Sequence, residues 1–444
     1  MWKSAIKPDP HDPDLPVPQP QTEKEDTLFV DERASTDTES EEDIIESDPS
    51  FQRESAPFLI NHERLNDLVR DLYPSKEKAD VLGFRLQQWN LLETGTTISS
   101  FRNRNENLAR YYASAENICC CKNVDGLMTE LGCEHNPVHW RLFIDSSKAS
   151  LKAVLLHNGY IKPSIPVGYS ILRKETYHTM KILLDLLEYS KYNWKVCSYL
   201  KVVSLLLGLQ YTKHMCFLCL WNSWQDSSHY AVKVWPPRQS PQIGRHNVQH
   251  QPLVSSANVF LPPLHINLGL MKNFVKAKER DGDDFKFLKD FFGADKSDAK
   301  LKAGVFMGPE IRKLMLNEEF DSRLKPLELA AWNALKSVVA NVLGNHRRDQ
   351  YADIVDRVLK VYEQLGALIS IKMHFLHSHL DFFPPNLGEV SDEQGERFHQ
   401  GTSVIEERCQ GRFDVNIMGD FWWYLQRESK GSSCKRKAKC IKYF

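Results

Sequence analysis

Asp145 closes the apolar run Leu142–Asp145. A carboxylate at a strand end is where divalent-metal chemistry on nucleic acids places its first ligand. Ser146, Ser147 and Ser150 follow as turn-type residues, and Leu151–His157 is a second apolar run. The stretch Leu142–Gly159 therefore reads as a hairpin-like unit with one acid at the top of its first strand. The plainer reading is a turn aspartate bonded to its own backbone. A second group of acids opens at Ser391-Asp392-Glu393-Gln394, a capping box in which Ser391 caps and Gln394 reaches back. Glu393 and Glu396 lie three apart on one face of the helix it starts. Capping and the helix dipole account for Asp392. They account less well for Glu396, beside which Arg397 and His399 could position a phosphate. Asp145 and Glu396, with Glu393 as the alternative to the latter, are the candidate catalytic carboxylates.

Cys216-Phe-Leu-Cys219 has the spacing of a zinc knuckle. Structural zinc takes four ligands, and His229 and His265 are the nearest suitable partners, with His214 a third choice. On a straight strand this odd spacing would send the two thiols to opposite faces, so a zinc site demands a tight turn between them. The competing reading is two buried, idle thiols. In HFLHSHL, His374 and His377 would share a helix face and His377 and His379 a strand face; core or helix-end histidines are the expectation there. The tail Lys430–Lys442 holds Lys435-Arg436-Lys437 and Lys439, which suits a nuclear address, a phosphate-binding arm or a solvated terminus.

With 444 residues the chain has room for two to three domains, and 42% hydrophobic residues supply a sizeable core. Its 57 basic against 58 acidic residues give no overall basic field to announce a nucleic-acid partner. The N-terminal end shows no secretory h-region, and the longest strongly apolar run, Val202–Leu209, is too short to span a bilayer. A soluble protein with no membrane partner is expected. Three consecutive thiols, Cys119, Cys120 and Cys121, would scramble in an oxidising compartment, which points to the nucleus or cytoplasm.

Residues 1–58 are rich in Asp, Glu, Pro and Ser, and read as a disordered acidic tail. Residues 59–138 form a helical N-terminal region. One helix runs from His62 to the stop at Pro74, and another from Ser75 to about Leu92 with Val81, Leu82, Leu86 and Trp89 as apolar positions. The pair is either a DNA-binding helix-turn-helix or a plain packing hairpin. Residues 139–222 carry the first part of a core. After the hairpin come an edge strand at Ser164–Leu172, a helix at Lys174–Leu187, a strand at Trp194–Cys197, a helix at Leu200–Gln210 and a strand at Met215–Leu220. That β-β-β-α-β-α-β order is the plan of a ribonuclease H-like, mixed-sheet α/β core, in which sheet formation gathers distant acids around two metal ions. Residues 223–385 read as a loop-rich and helical insertion, with helices at Leu264–Lys276, Pro326–Leu343 and Gln350–Leu365 and a charged connector at Lys278–Lys302. Residues 386–428 would complete the core, and 429–444 form the basic tail.

At these residues the chain resembles a group of transposon-derived animal proteins. The matching phrases include LFIDSSKASLKAVLLHNG, LKVVSLLLGLQ, CFLCLW, LPPLHINLGLMKNFVKA, GVFMGPEIRKLM, MHFLHSHLDFFPPNLGEVSDEQGERFHQ and RCQGRFDVNIMGDFWW, over roughly residues 80–430. A looser resemblance, by analogy of fold and acid placement, links the group to DDE-type cut-and-paste transposases. It implies Asp145 as first metal-binding acid and Glu396, or else Glu393, as third. Cys216 and Cys219 are similar to a cysteine pair that follows the second acid. Relatives tend to carry Gly-Asp where this chain has Ser198-Tyr199. Tyrosine, with a pKa near about 10, is neutral at pH 7 and a poor magnesium ligand. Residues also look lost around Gln210–Lys213. The resemblance thus implies DNA as partner and Mg2+ or Mn2+ as cofactor if active. It further implies a structural Zn2+, a homo-oligomer as an open option, no small-molecule cofactor, and a copy impaired in cleavage. The alternative is a non-catalytic DNA-binding or protein-interaction module.

Overall fold

The computed structural model describes residues 58–398, except 73, 75, 99–105, 147–149, 171–173, 213–214, 225–227, 280–281, 294–299, 302–305 and 307, together with 415 and 418. The expected acidic tail (Phe58 apart), the basic tail, His214 and His399 lie outside the described residues. The chain opens with α1 (His62–Leu72), α2 (Lys76–Gln88) and α3 (Glu106–Ala109), then β1 (Tyr112–Ala115), β2 (Ile118–Cys121) and α4 (Val124–Glu130). The central part is β3 (Trp140–Ser146), β4 (Leu151–His157), β5 (Ile165–Ser170), α5 (Tyr177–Leu186), α6 (Tyr189–Tyr192), β6 (Lys195–Cys197), α7 (Leu200–Leu206) and β7 (Val259–Phe260). A helical layer follows: α8 (Pro263–Ala277), α9 (Asp283–Phe291), α10 (Gly308–Met315), α11 (Glu318–Arg323), α12 (Pro326–Asn341), α13 (Tyr351–Gln364) and α14 (Ile371–Ser378).

The seven strands make one mixed sheet in the order β1-β2-β5-β4-β3-β6-β7. β3 pairs antiparallel with β4 and parallel with β6, and β7 continues parallel beyond β6. β3 and β4 are apolar almost without alternation because both faces of the sheet are covered. Trp140, Leu142 and Ile144 join the main core with residues of α5 and α7. Arg141, Phe143 and Asp145 point the other way. On that side residues 393–398 are helical, and Gly395 lies so close that a Cβ on it would sit 2.5 Å from the Phe143 ring.

The structure corrects several expectations. β5 is not an edge strand, because the β1–β2 hairpin pairs with its outer side. Pro166 is tolerated inside it at a bulge, where the register shifts opposite Ala153 and Val154. The hairpin turns at Glu116 and Asn117, both at positive φ, a tight turn made without the usual glycine. Its second strand contains the three consecutive cysteines, all buried. The last core strand is not Met215–Leu220 but β7, hidden in a proline-rich stretch where two residues give no periodicity. The core thus extends into the range assigned to the insertion. Val81 and Trp89 are exposed on the outside of α2 and its end, whereas Leu86 is buried. The charged connector contains α9, whose Asp284, with Glu328 of α12, pairs with the buried Lys278. The expected helices at 264, 326 and 350 are present. α12 has Pro326 in its first turn, and Glu328 accepts from the Lys325 N–H at 2.9 Å.

At the far end of the sheet, Asp125 of α4 ties three elements together. It accepts from Lys191 Nζ at 2.8 Å, Tyr192 Oη at 2.9 Å and His135 Nδ1 at 2.5 Å, while His135 Nε2 accepts from Trp194 Nε1 at 3.2 Å. Burial works against the carboxylate, but the bonds from Lys191, His135 and Tyr192 outweigh it and hold its pKa down at about 2. A depressed folded-state pKa contributes stability that is present above the ordinary carboxylate range and lost as pH falls from about 4 to about 2. Asp125 is half exposed, so the contribution is expected to be no more than about 1 kcal/mol. Urea unfolding between pH 2 and pH 7 should show a shallower acid-side loss of stability in Asp125→Asn than in the unmodified chain.

Candidate metal centre

Cys216 and Cys219 stand on either side of a bend rather than on a strand. The Leu218 N–H points at Cys216 Sγ at 3.4 Å, and Arg238 Nε donates to the Cys216 carbonyl at 2.7 Å. Leu220 N–H donates to Pro236 O at 2.8 Å and Arg238 N–H to Leu218 O at 3.0 Å, so the bend is clasped by the following loop. This is the tight turn that the odd spacing demanded, and it brings both thiols to one side.

His374 and His379 face them. His374 lies on α14, and His379 is the residue at which that helix ends, with φ −135° and ψ 36°. Leaving the helical path lets an i, i+5 pair converge. Cys219 Sγ is 3.2 Å from His374 Nε2 and 3.2 Å from His379 Nε2, and Cys216 Sγ is 3.5 Å from His379 Nε2. The four ligand atoms all lie within 4.8 Å of one another. A tetrahedral ion with zinc's bond lengths separates its S and N donors by about 3.3–3.8 Å, so this Cys2His2 set can hold a metal such as zinc. Hydrogen bonds from Cys216, then His374 and His379, pull the Cys219 thiol well below the ordinary thiol range, while burial pushes Cys216 up. Trp221 stacks on His374 at 4.8 Å, and Phe217 packs against Phe375 and Phe382 at 5.4 and 5.7 Å, which keeps the site dry. Four protein donors leave no open position, the mark of a structural rather than a catalytic centre.

The two histidines first paired with these thiols are elsewhere. His229 Nε2 donates to the Asn222 carbonyl at 2.8 Å, with its ring against Trp221. His265, at the start of α8, donates through Nδ1 to Asp392, which is fully buried and also accepts from the Leu264 N–H at 3.0 Å. Burial disfavours the His265 imidazolium, but Asp392 outweighs it and raises the pKa. The correct partners were visible as a His-x4-His pair within the spacing range of zinc sites. A helical reading of HFLHSHL hid them, because it set His374 against His377.

Asp145 is the last residue but one of β3, directly across the ladder from Lys152. Tyr199 follows β6, and its Oη accepts from the Ser146 N–H at 2.9 Å. Burial first, then the charges of Asp145, Glu175 and Glu396, push the Tyr199 phenol well above its ordinary pKa, so it stays neutral. Asp145 and Glu396 thus both act electrostatically on Tyr199. Glu393 Oε1 accepts from Arg312 Nη2 at 2.9 Å and Arg397 Nη2 at 3.1 Å. The predicted capping box is half made. Ser391 Oγ accepts from the Glu393 N–H at 3.2 Å, but Gln394 Oε1 has no partner, and the Ser391 N–H goes to Tyr160 Oη at 3.1 Å. Asp392 serves α8 rather than its own helix. Among the described residues the Cys2His2 set is the one group of three or more His, Cys, Asp or Glu gathered closely enough for an ion.

Two family matches cover parts of the chain. One, described as Domain of unknown function (DUF8703), spans residues 100–254; the other, Domain of unknown function (DUF8704), spans residues 263–344. Asp145, Tyr199 and the two cysteines fall in the first match and His265 in the second. His374, His379, Glu393 and Glu396 lie beyond both. Comparison with curated proteins finds no match.

Purified chain should carry about one zinc per molecule by elemental analysis. Cys219→Ser and His374→Ala should each abolish it and lower the Tm. His229→Ala should leave the stoichiometry unchanged; loss of metal there would overturn the ligand assignment.

Proposed function

We propose that the chain is a transposase-derived, ribonuclease H-like protein that engages DNA at the sheet edge bearing Asp145 and cleaves it weakly or not at all. The reading rests on one observation. Asp145 is the last residue but one of a strand that lies inside the sheet, and the helix at 393–398 packs on the same face through Gly395 and Phe143. That packing puts Glu396, some 250 positions away, within electrostatic reach of the same tyrosine as Asp145. The element order β3-β4-β5-α5-α6-β6-α7-β7, with β3 parallel to β6, supports the fold assignment.

The same edge argues against an efficient magnesium or manganese centre. Asp145 and Glu396 are the residues that would hold such an ion, whose chemistry is to activate a hydroxyl for attack on phosphate. The residue at the end of β6 is instead Tyr199, whose neutral phenol already accepts from a backbone amide. The donor set is short of an acid, and no cleavage step is derived from it. A structural zinc held by Cys216, Cys219, His374 and His379 belongs to this reading as a brace between the sheet region and α14. The closed donor set of that centre also favours the second reading, a non-catalytic DNA-binding or protein-interaction module.

A plasmid-nicking assay with Mg2+ or Mn2+ separates the two. The unmodified chain should show little or no cutting. Tyr199→Asp should restore cutting that Asp145→Asn and Glu396→Gln then abolish. Robust cutting that survives Asp145→Ala would refute the assignment of this edge.

A further inference from the structure

α8 buries Ile266, Leu270, Met271, Phe274 and Val275. Its other side carries His265, Gly269, Lys272 and Lys276 at i, i+4, i+7 and i+11, which a helix of 3.6 residues per turn lines up as one stripe. Gly269 leaves a gap in that stripe, and the neighbouring α14 fills it. A Cβ on Gly269 would lie 2.1 Å from Lys372 Cδ, so the lysine stem lies across the glycine. Burial first, then the charge of Lys276, lowers the pKa of Lys272, and burial first, then the charge of Lys272, lowers that of Lys372. Among the described residues, Asp392, bonded to His265, and Glu396 both act at the His265 end of the stripe, while Glu279 past the end of α8 pairs with Lys325 at 2.9 Å. A merely solvated helix face mixes both signs; the far end of this one carries Lys272 and Lys276.

The row ends at His265, whose ring stacks on Tyr199 at 6.0 Å between centroids. It therefore runs from exposed Lys276 toward Tyr199, on which Asp145 and Glu396 both act. From residue 265 to 276 it covers about 16 Å of helix, over which one DNA strand presents about five phosphates. We infer that Lys272, Lys276 and Lys372 form a track for the phosphate backbone of duplex DNA leading into the Asp145 edge. Gly269 makes room for this arrangement, since a side chain there would force the Lys372 stem to shift. The inference rests on the reading of the chain as a DNA-binding protein, but not on any residual cleavage.

The test is fluorescence anisotropy of the full chain with a labelled 20-base-pair duplex between 50 and 200 mM KCl. Each lysine removed should flatten the plot of log affinity against log salt by about 0.9. Lys272→Gln with Lys276→Gln should therefore lower the slope by about 1.8. Lys276→Glu, an exposed change that leaves the fold intact, should weaken binding at 50 mM KCl by about 10-fold or more. Lys162→Gln, an exposed lysine off the stripe, should change nothing. If the unmodified chain binds and the stripe variants match it in affinity and slope, the track is refuted while DNA binding stands. If the unmodified chain does not bind the duplex at any salt concentration, the track and the DNA reading fall together.

Discussion

The buried guanidinium of Arg141 is the contact on which the rest of the molecule depends. It is the second residue of β3 and has no exposure to solvent. Nη1 donates to His157 O and Asn158 Oδ1 at 3.0 Å each and to Glu389 O at 3.3 Å, and Nη2 donates to Ser391 O at 2.8 Å. Gly159 and Tyr160 reinforce it, through Gly159 N–H to Glu389 O at 3.1 Å and Tyr160 Oη to Gly388 O. A buried charge is tolerable only when most of its donors are used, and here both Nη groups are bonded while Nε has no hydrogen-bond partner. The cost of desolvating it is offset by fixing a segment 250 positions distant onto the centre of the sheet. Asp392, the next residue along, then seats the start of α8. The position of Glu396, the seat of His265 and the direction of α8 all follow from this anchor.

The molecule contains two polar centres with opposite characters. The Cys2His2 set is closed, buried and wrapped in aromatic rings. At the other, Asp145 and Glu396 act on the neutral phenol of Tyr199, whose ring stacks on His265. The first joins the loop after α7 to the end of α14, and the second joins the ends of β3 and β6 to the start of α8.

Much of the architecture was legible in the sequence, because most elements announce themselves through periodicity and punctuation. The hairpin of β3 and β4, the helices beginning at Tyr177, Leu200, Pro263 and Pro326, and the bend required between Cys216 and Cys219 could all be read from residue types. What could not be read depends on neighbours. β1 and β2 are four residues each and turn without glycine, so nothing marked them as strands that would cover β5. β7 is visible only through its pairing with β6. Asp392 looked like a helix cap, and only tertiary structure shows it bonded to α8. His379 pairs with His374 because the helix breaks at that residue, which a regular 3.6-residue pattern does not reveal.

The thiols and imidazoles of the Cys2His2 set are separated by about 155 positions, Cys219 to His374. During synthesis at about 5–20 residues per second, the cysteine pair would emerge from the ribosome roughly ten to thirty seconds before its histidines. For that interval a nascent chain offers two reactive sulfurs and half a coordination shell, on a segment whose sheet still lacks the strap at Ser391. Closing so long a loop around one ion restricts the unfolded chain strongly. Scarce zinc would therefore act first on newly made molecules, by stranding them half-assembled, rather than on mature ones.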